Sequence, residues 1–102
     1  MKQHIEEIKK LKRKLNYLEK QLKTIGPVMR GSIVKLNMQT GDKKYPANYF
    51  SAKINKKTKL IYLGEKKLKK AKEYNDNYIK LKYIIEEMTK TTMELIRLSN
   101  NP

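Results

Sequence analysis

Residues 25–38 read IGPVMRGSIVKLNM, and the periodicity of the chain changes across this stretch. Before it, apolar residues recur at alternating spacings of three and four, which is typical of a helix with a heptad seam. Gly26-Pro27 ends that pattern, because glycine suits the C-terminal end of a helix and proline cannot continue one. After it, Val34, Leu36 and Met38 recur at a period of two, which is typical of a strand. The stretch therefore predicts a helix followed by a strand.

Two helices are predicted, and each has an apolar seam. The first spans residues 1–25, and its seam consists of Ile8, Leu11, Leu15, Leu18, Leu22 and Ile25. The second spans 65–98, and its seam consists of Ala71, Tyr74, Tyr78, Leu81, Ile85, Met88, Thr92 and Leu95, widened by Ile84, Ile96 and Leu98. Seams of similar length predict an antiparallel, coiled-coil-like pair of helices. The alternative is that each seam pairs with its own copy in a homodimer.

The segment between the helices, residues 32–63, predicts a three-stranded antiparallel sheet. Its strands are Ser32–Met38, Asn48–Asn55 and Lys59–Leu63, joined by turns at Thr40–Asp42 and Asn55–Thr58. Phe50, Ala52 and Ile54 are expected on one face of the second strand. The fold class is thus α+β, with one domain over residues 1–102.

The charge of the chain is high and uneven. Lys and Arg number 25 against 10 Asp and Glu, a net charge of +15, and residues 35–72 alone carry twelve against two. Self-repulsion on this scale costs stability, and solubility needs far less charge. A polyanionic partner is the simplest reason to tolerate it, and nucleic acid is the commonest polyanion. A genome that favours lysine codons is the competing explanation, since Lys outnumbers Arg 22 to 3.

Several classes of activity are disfavoured by composition. Without Cys there are no disulfides or thiolate metal sites, and the single His4 cannot build a metal site alone. The sequence offers no nucleophile–base arrangement, no paired carboxylates and no glycine-rich phosphate loop, so we expect no enzyme and no cofactor. No apolar run approaches the roughly 20 residues that span a bilayer, and no signal peptide is present, so a cytoplasmic location is expected.

The strongest candidate site lies between Lys53 and Lys70, where eight lysines are opposed only by Glu65. We expect the phosphate-contacting face to be extended by Arg30 and Lys35, and its main members to be Lys53, Lys56, Lys57, Lys59, Lys66, Lys69 and Lys70. The alternative for Arg30 is that its side chain caps the carbonyl end of the first helix.

A second basic block lies on the first helix and comprises Lys9, Lys10, Lys12, Arg13 and Lys14. It is interpreted either as a further phosphate contact or as a solvated face partly paired with Glu86 and Glu87.

The tyrosines have two interpretations. Tyr49 and Tyr62 are candidates for base stacking from the sheet, and the alternative is cross-strand packing against the helices. Tyr74 and Tyr78 lie on the helical seam and are expected in the core. Sequence-specific reading is not expected, because only three arginines are available for bidentate contacts to guanine.

The order of these motifs resembles a family of small bacterial and phage proteins often encoded near transposases. The resemblance covers nearly the whole chain, and its most specific part is the run Gly26–Val34, which matches the family pattern Gly-Pro-x-x-Arg-Gly-Ser. The family's Cys-rich loop and its His-Gly-Pro motif are absent here: Met38–Lys44 has no Cys, and Lys44-Tyr45-Pro46 has no His. The resemblance implies an architecture and a mobile-element context, but no metal and no established activity.

These observations favour a non-enzymatic nucleic-acid-binding protein of a phage, plasmid or transposon. The alternative is a protein-interaction module that inhibits a host nucleic-acid enzyme or nucleoprotein complex, as an anti-CRISPR protein does. A third interpretation, a coiled-coil dimer scaffold with a lysine-rich composition, needs no partner.

Overall fold

The computed structural model describes residues 2–99 and confirms the α+β fold class. Its elements are α1 (Lys2–Thr24), β1 (Ser32–Thr40), β2 (Lys43–Ile54), β3 (Lys57–Tyr62) and α2 (Leu68–Leu98). They form two compact units. The helical unit comprises the residues up to 25 together with those from 79 onward, and the sheet unit comprises residues 26–78. The predicted helix start at Met1 lies outside the described residues.

In the helical unit α1 and α2 pack antiparallel, as predicted. Leu22 of α1 lines a groove with Ile85 and Met88 of α2. Leu11, about three turns nearer the start of α1, lies beside Glu94, which is farther along α2. Every residue of the α1 seam is at least half-buried, and Leu18 is only 4% exposed. The first seam was therefore predicted correctly.

The buried stripe of α2 differs from the predicted one. Ile84 and Leu98, which were predicted to widen the seam, are 6% and 3% exposed, and Thr91, which was not predicted, is 2% exposed. Ile85 and Ile96 were predicted in the seam but are 49% and 70% exposed, and Thr92 is exposed as well. Residues 81, 84, 88, 91, 95 and 98 keep a regular spacing of three and four, so the stripe follows this register beyond Leu81. The buried hydroxyl of Thr91 donates to the Glu87 carbonyl oxygen at 2.8 Å, which removes the cost of burying it.

The sheet has the order β1-β2-β3 with both pairs antiparallel, and its strands are longer than predicted. β2 begins at Lys43, so Tyr45-Pro46 belongs to the strand and not to a loop. A proline is tolerated there because β3 pairs only with Tyr49–Ile54, which leaves β2 a local edge at position 46. The turn at Asn55 is confirmed, and it is a two-residue turn.

The pairing register decides which residues of the three strands share a face of the sheet. Ile33, Phe50 and Ile61 are cross-strand neighbours on one face, which we call the core face. Val34 pairs with Tyr49, so the predicted apolar row Val34, Leu36 and Met38 lies on the opposite face. The alternation of side chains within β1 and within β2 was predicted correctly. Which β1 residues share a face with which β2 residues was not predicted, because the relative register of two strands depends on the hairpin turn between them.

The core of the sheet unit forms where α2 covers part of the core face. Phe50, Leu63 and Ala71 are buried, and Met29, Ile33, Ala52 and Leu68 pack around them. α2 begins at Leu68 and not at the predicted Glu65, because Gly64 takes a φ of +60° and residues 64–67 form a turn. None of the helices within residues 2–99 is long and apolar enough to cross a membrane.

Asparagine side chains of α2 donate hydrogen bonds to the main chain between α1 and β1. The Asn75 side chain donates to the carbonyl oxygens of Met29 and Gly31, both at 3.0 Å, and Asn77 donates to that of Pro27 at 2.9 Å. The Met29 amide donates to the Tyr74 carbonyl oxygen at 3.0 Å. These bonds connect the residues that precede β1 to positions 74–77 of α2, within the sheet unit.

Candidate nucleic-acid interface

The turn between β2 and β3 is built from two residues with positive φ. Asn55 has φ 53° and Lys56 has φ 67°, which is the backbone of a type I′ hairpin turn. Asn tolerates this conformation well, but for lysine it costs on the order of 1 kcal/mol. A lysine therefore stands at the tip where glycine is the more stable choice.

The lysines near the tip point to both faces of the ribbon. Lys53 lies opposite Thr58, on the face away from the core, whereas Lys57 and Lys59 lie opposite Ile54 and Ala52 on the core face. All three side chains are exposed, as is that of Lys56. The tip is therefore cationic on both sides.

Arg30 supports the hairpin from the neighbouring loop. Its Nη2 donates to the Lys53 carbonyl oxygen at 2.6 Å. The expected alternative, a cap on the carbonyl end of the first helix, is wrong: the side chain bonds to the main chain of β2. Arg30 and Lys59 also line a shallow groove of about 330 Å³ on the core face, whose apolar walls include Val28, Ile54 and Ile61.

The remaining predicted lysines lie elsewhere on the sheet unit. Lys66, Lys69 and Lys70 are exposed around the start of α2, at the end of β3 remote from the hairpin turn. A strand of this length spans roughly 17–20 Å, so the predicted patch consists of two clusters. Lys35 is exposed on the core face of β1, opposite Asn48.

Most of these cations lack an acidic partner. Within the described residues, Lys70 is the only predicted site residue in a salt bridge; its Nζ lies 3.9 Å from Glu73 and 5.8 Å from the Tyr74 ring centroid. Both members of that pair are largely exposed, so it neutralises little. The sheet unit as a whole carries thirteen Lys and Arg against four Asp and Glu.

The two tyrosines with a predicted role are neighbours across the strands. Tyr49 pairs with Tyr62, with ring centroids 5.5 Å apart and planes at 67°, an edge-to-face contact. They lie on the face opposite Phe50, so they do not pack with the α2 residues of the core cluster. Tyr49 is half-buried and Tyr62 is 52% exposed. The predicted core residues Tyr74 and Tyr78 are half-buried.

The basic block of α1 is partly paired, as one of its two interpretations expected. Lys14 Nζ lies 3.6 Å from the Glu87 carboxylate, which also receives Lys90 at 3.3 Å. The hydrogen bond from Lys90 and the charges of Lys90 and Lys14 lower the pKa of Glu87. Glu86 forms no salt bridge within residues 2–99.

The sequence did not single out Tyr45 and Lys43 as candidates. Both lie on the same face as Tyr49 and Tyr62, and Tyr45 is 43% exposed. Positions 43, 45, 47 and 49 lie on one face of β2, and this alternation could have indicated them. It was not recognised because Pro46 argues against a strand in this stretch. Across the part of the chain that the structure describes, no three His, Asp or Glu side chains group as metal ligands would.

Comparisons of the chain with protein-family models, with curated proteins and with solved structures find no match.

Proposed function

We propose that this protein binds nucleic acid, without enzymatic activity, through the cationic surface of its sheet unit, and that it serves a phage, plasmid or transposon. The observation that carries the proposal is a group of exposed lysines at the β2–β3 hairpin that form no salt bridge within residues 2–99: Lys53, Lys56, Lys57 and Lys59. The mobile-element context rests on the resemblance of the Gly26–Val34 run described above.

The energetics support a polyanionic partner. Each unpaired lysine at the tip repels its neighbours, and Lys56 adds the cost of a left-handed backbone. These costs are offset when phosphates replace the missing acidic partners and release their condensed counterions. A hairpin with cations on both sides can follow a phosphate backbone or enter a groove as a two-stranded ribbon.

The chemistry of the site favours backbone contacts over base-edge contacts. Lysine is a point charge, whereas bidentate reading of guanine is chiefly an arginine property. Arg30 already gives one Nη2 bond to the protein main chain. The proposal is therefore binding with little sequence preference.

Fluorescence anisotropy with labelled 20-nucleotide single-stranded and duplex DNA and structured RNA, titrated over a range of salt, tests this function. If about five to seven phosphates are neutralised, log affinity for the duplex falls with log salt at a slope near −5 to −6. A flat salt response, or no binding to any of these probes at low salt, contradicts the proposal.

A matched pair of variants locates the site. Lys56→Glu with Lys57→Glu should abolish binding, whereas Lys9→Glu with Lys10→Glu, on α1, should weaken it less. Both pairs change the charge equally, and all four side chains are exposed without a salt bridge among the described residues. The reverse ranking would move the site to the helical unit.

The alternative function is a protein-interaction module that inhibits a host nucleic-acid enzyme or nucleoprotein complex, such as an anti-CRISPR protein. The supporting observation is a set of exposed apolar side chains on the later part of α2: Ile79, Tyr83, Ile85, Met93 and Ile96. Binding to a nucleoprotein complex without binding to its free nucleic acid would favour this alternative.

A further inference from the structure

The sheet has an open face that carries three tyrosines. We call it the tyrosine face: Tyr49 and Tyr62 form one cross-strand row with Val34, and Tyr45 lies opposite Met38 farther along β2. Tyr45 and Tyr62 are 43% and 52% exposed, and Leu60, on the same face, is 51% exposed. The buried cluster that includes Phe50 and Ala71 is on the other face, so the fold leaves these rings accessible.

The exposed rings are held in defined positions. Tyr62 makes an edge-to-face contact with Tyr49. Its ring also lies next to Gly64: a β-carbon built on that glycine would be about 3.5 Å from the ring. Tyr45 is four residues from Tyr49 along the same strand, a distance of about 13 Å. The face therefore presents two separate aromatic positions, each about half exposed.

The charges on this face are positive, and the nearest acidic residue in the sequence is Asp42, in the turn beside Lys43. Lys43 and Lys53 lie on it, near the two ends of β2. None of the three strands contains an acidic residue. Neither lysine forms a salt bridge within residues 2–99. A surface that combines accessible aromatic rings with a lysine near each end complements a ligand with flat apolar rings and regularly spaced negative charges.

Resting on the proposed function, we infer that the tyrosine face binds single-stranded nucleic acid, with bases stacked on Tyr62 and Tyr45 and phosphates contacted by Lys43 and Lys53. A duplex hides the faces of its bases, so it cannot use the rings, whereas an unpaired strand exposes them. Small sheets that carry aromatic residues bind two or three bases of single strands in this way. An apolar protein partner could pack against the rings, but it would supply no negative charge to the lysines.

The test compares the protein and its variants on a labelled 20-nucleotide oligothymidine and on a 20-base-pair duplex at equal salt. Tyr62→Ala should weaken binding to the single strand by about fivefold or more, the loss of one stacked base, while duplex affinity stays within about twofold. Tyr62→Phe keeps the ring and should bind like the unchanged protein. Tyr17→Ala removes a tyrosine that is 60% exposed on α1 and serves as the control.

A second readout reports stacking directly. The chain has seven Tyr and no Trp, so its fluorescence is that of tyrosine. Oligothymidine should quench this fluorescence more than the duplex does, and the difference should shrink in Tyr62→Ala. Thermal melts monitored by circular dichroism establish that each variant is folded before titration.

The outcomes separate this inference from the function on which it rests. If Tyr62→Ala binds the single strand as tightly as the unchanged protein while both probes bind with a steep salt dependence, stacking is wrong and electrostatic binding stands. Equal displacement of oligothymidine by polyglutamate of matched charge would also overturn stacking. If neither probe binds at low salt, both the inference and the proposed function are wrong.

Discussion

Gly31 lies directly against the main chain of Ser51. A β-carbon at position 31 would stand 2.3 Å from the Ser51 carbonyl oxygen and 2.8 Å from Cε1 of Phe50, and φ at Gly31 is +153°. Only glycine fits where the chain enters β1. Gly31, within the Gly26–Val34 run, therefore has a structural explanation that is independent of any ligand.

Gly31→Ala should destabilise the protein by roughly 2–4 kcal/mol, because the methyl group meets backbone and a buried ring and the φ angle is strained. Urea unfolding followed by circular dichroism measures the change. Gly41→Ala is the matched control: φ is +61°, but nothing lies within 4 Å of the added carbon. It should cost only about 1–2 kcal/mol, the left-handed penalty. Equal losses in the two variants would contradict the steric argument.

The Asn75 amide should matter more than an exposed amide of the same sheet unit. Asn75→Asp replaces a group that donates to the Met29 and Gly31 carbonyl oxygens with a carboxylate that repels both. The expected loss is about 2–3 kcal/mol. Asn37→Asp, on the exposed part of β1, should change the free energy of unfolding by less than about 0.5 kcal/mol. A similar loss in both variants would show that the Asn75 bonds do not fasten the loop.

The register of α2 predicts different costs for two adjacent isoleucines. Ile84 is 6% exposed, and Ile84→Ala should cost about 2–4 kcal/mol. Ile85 is 49% exposed, and Ile85→Ala should cost less than about 1 kcal/mol in dilute solution. Urea unfolding over a hundredfold range of protein concentration is the measurement. If the cost of Ile85→Ala grows with concentration, a second chain covers this side of α2 in a homodimer.

Much of this fold follows from local signals in the chain. The 3,4 spacing of α1, the Gly26-Pro27 stop and the period of two after Ser32 each depend on nearby residues, and each was predicted correctly. The buried register of α2 was not, since positions 84 and 85 are both isoleucine and only packing against α1 distinguishes them. The face shared by Val34 and Tyr49 likewise depends on where β1 and β2 pair.

The candidate site was predictable in composition but not in arrangement. The lysines from Lys53 to Lys59 were found because they are close in sequence around one turn. Their separation from Lys66 follows from the straight course of β3, which places the two clusters at its opposite ends. Tyr45 was missed because the adjacent Pro46 argued against a strand. The proline is tolerated in β2 because β3 pairs only with Tyr49–Ile54, and this pairing is a property of the sheet that the local sequence does not show.

The acid stability of the helical unit should depend on Glu87 and Glu94. Glu87 accepts a hydrogen bond from Lys90 and lies near Lys14, and Glu94 accepts hydrogen bonds from Arg97; both contacts lower the pKa of the carboxyl group. A carboxyl group with a native pKa below its unfolded value, about 4.3 for Glu, stabilises the fold fully above that value. The contribution is lost as the pH falls through the lower native pKa. Unfolding free energies measured between pH 7 and pH 3 should therefore stay level at first and then decline below about pH 4.

The double variant Glu87→Gln with Glu94→Gln should be less stable at pH 7 and should decline less steeply, since amides do not titrate. The variant Glu6→Gln with Glu86→Gln, which removes two exposed glutamates that form no salt bridge within residues 2–99, should decline as the unchanged protein does. Parallel curves for all three proteins would show that the Lys14, Lys90 and Arg97 contacts do not stabilise the helix pair.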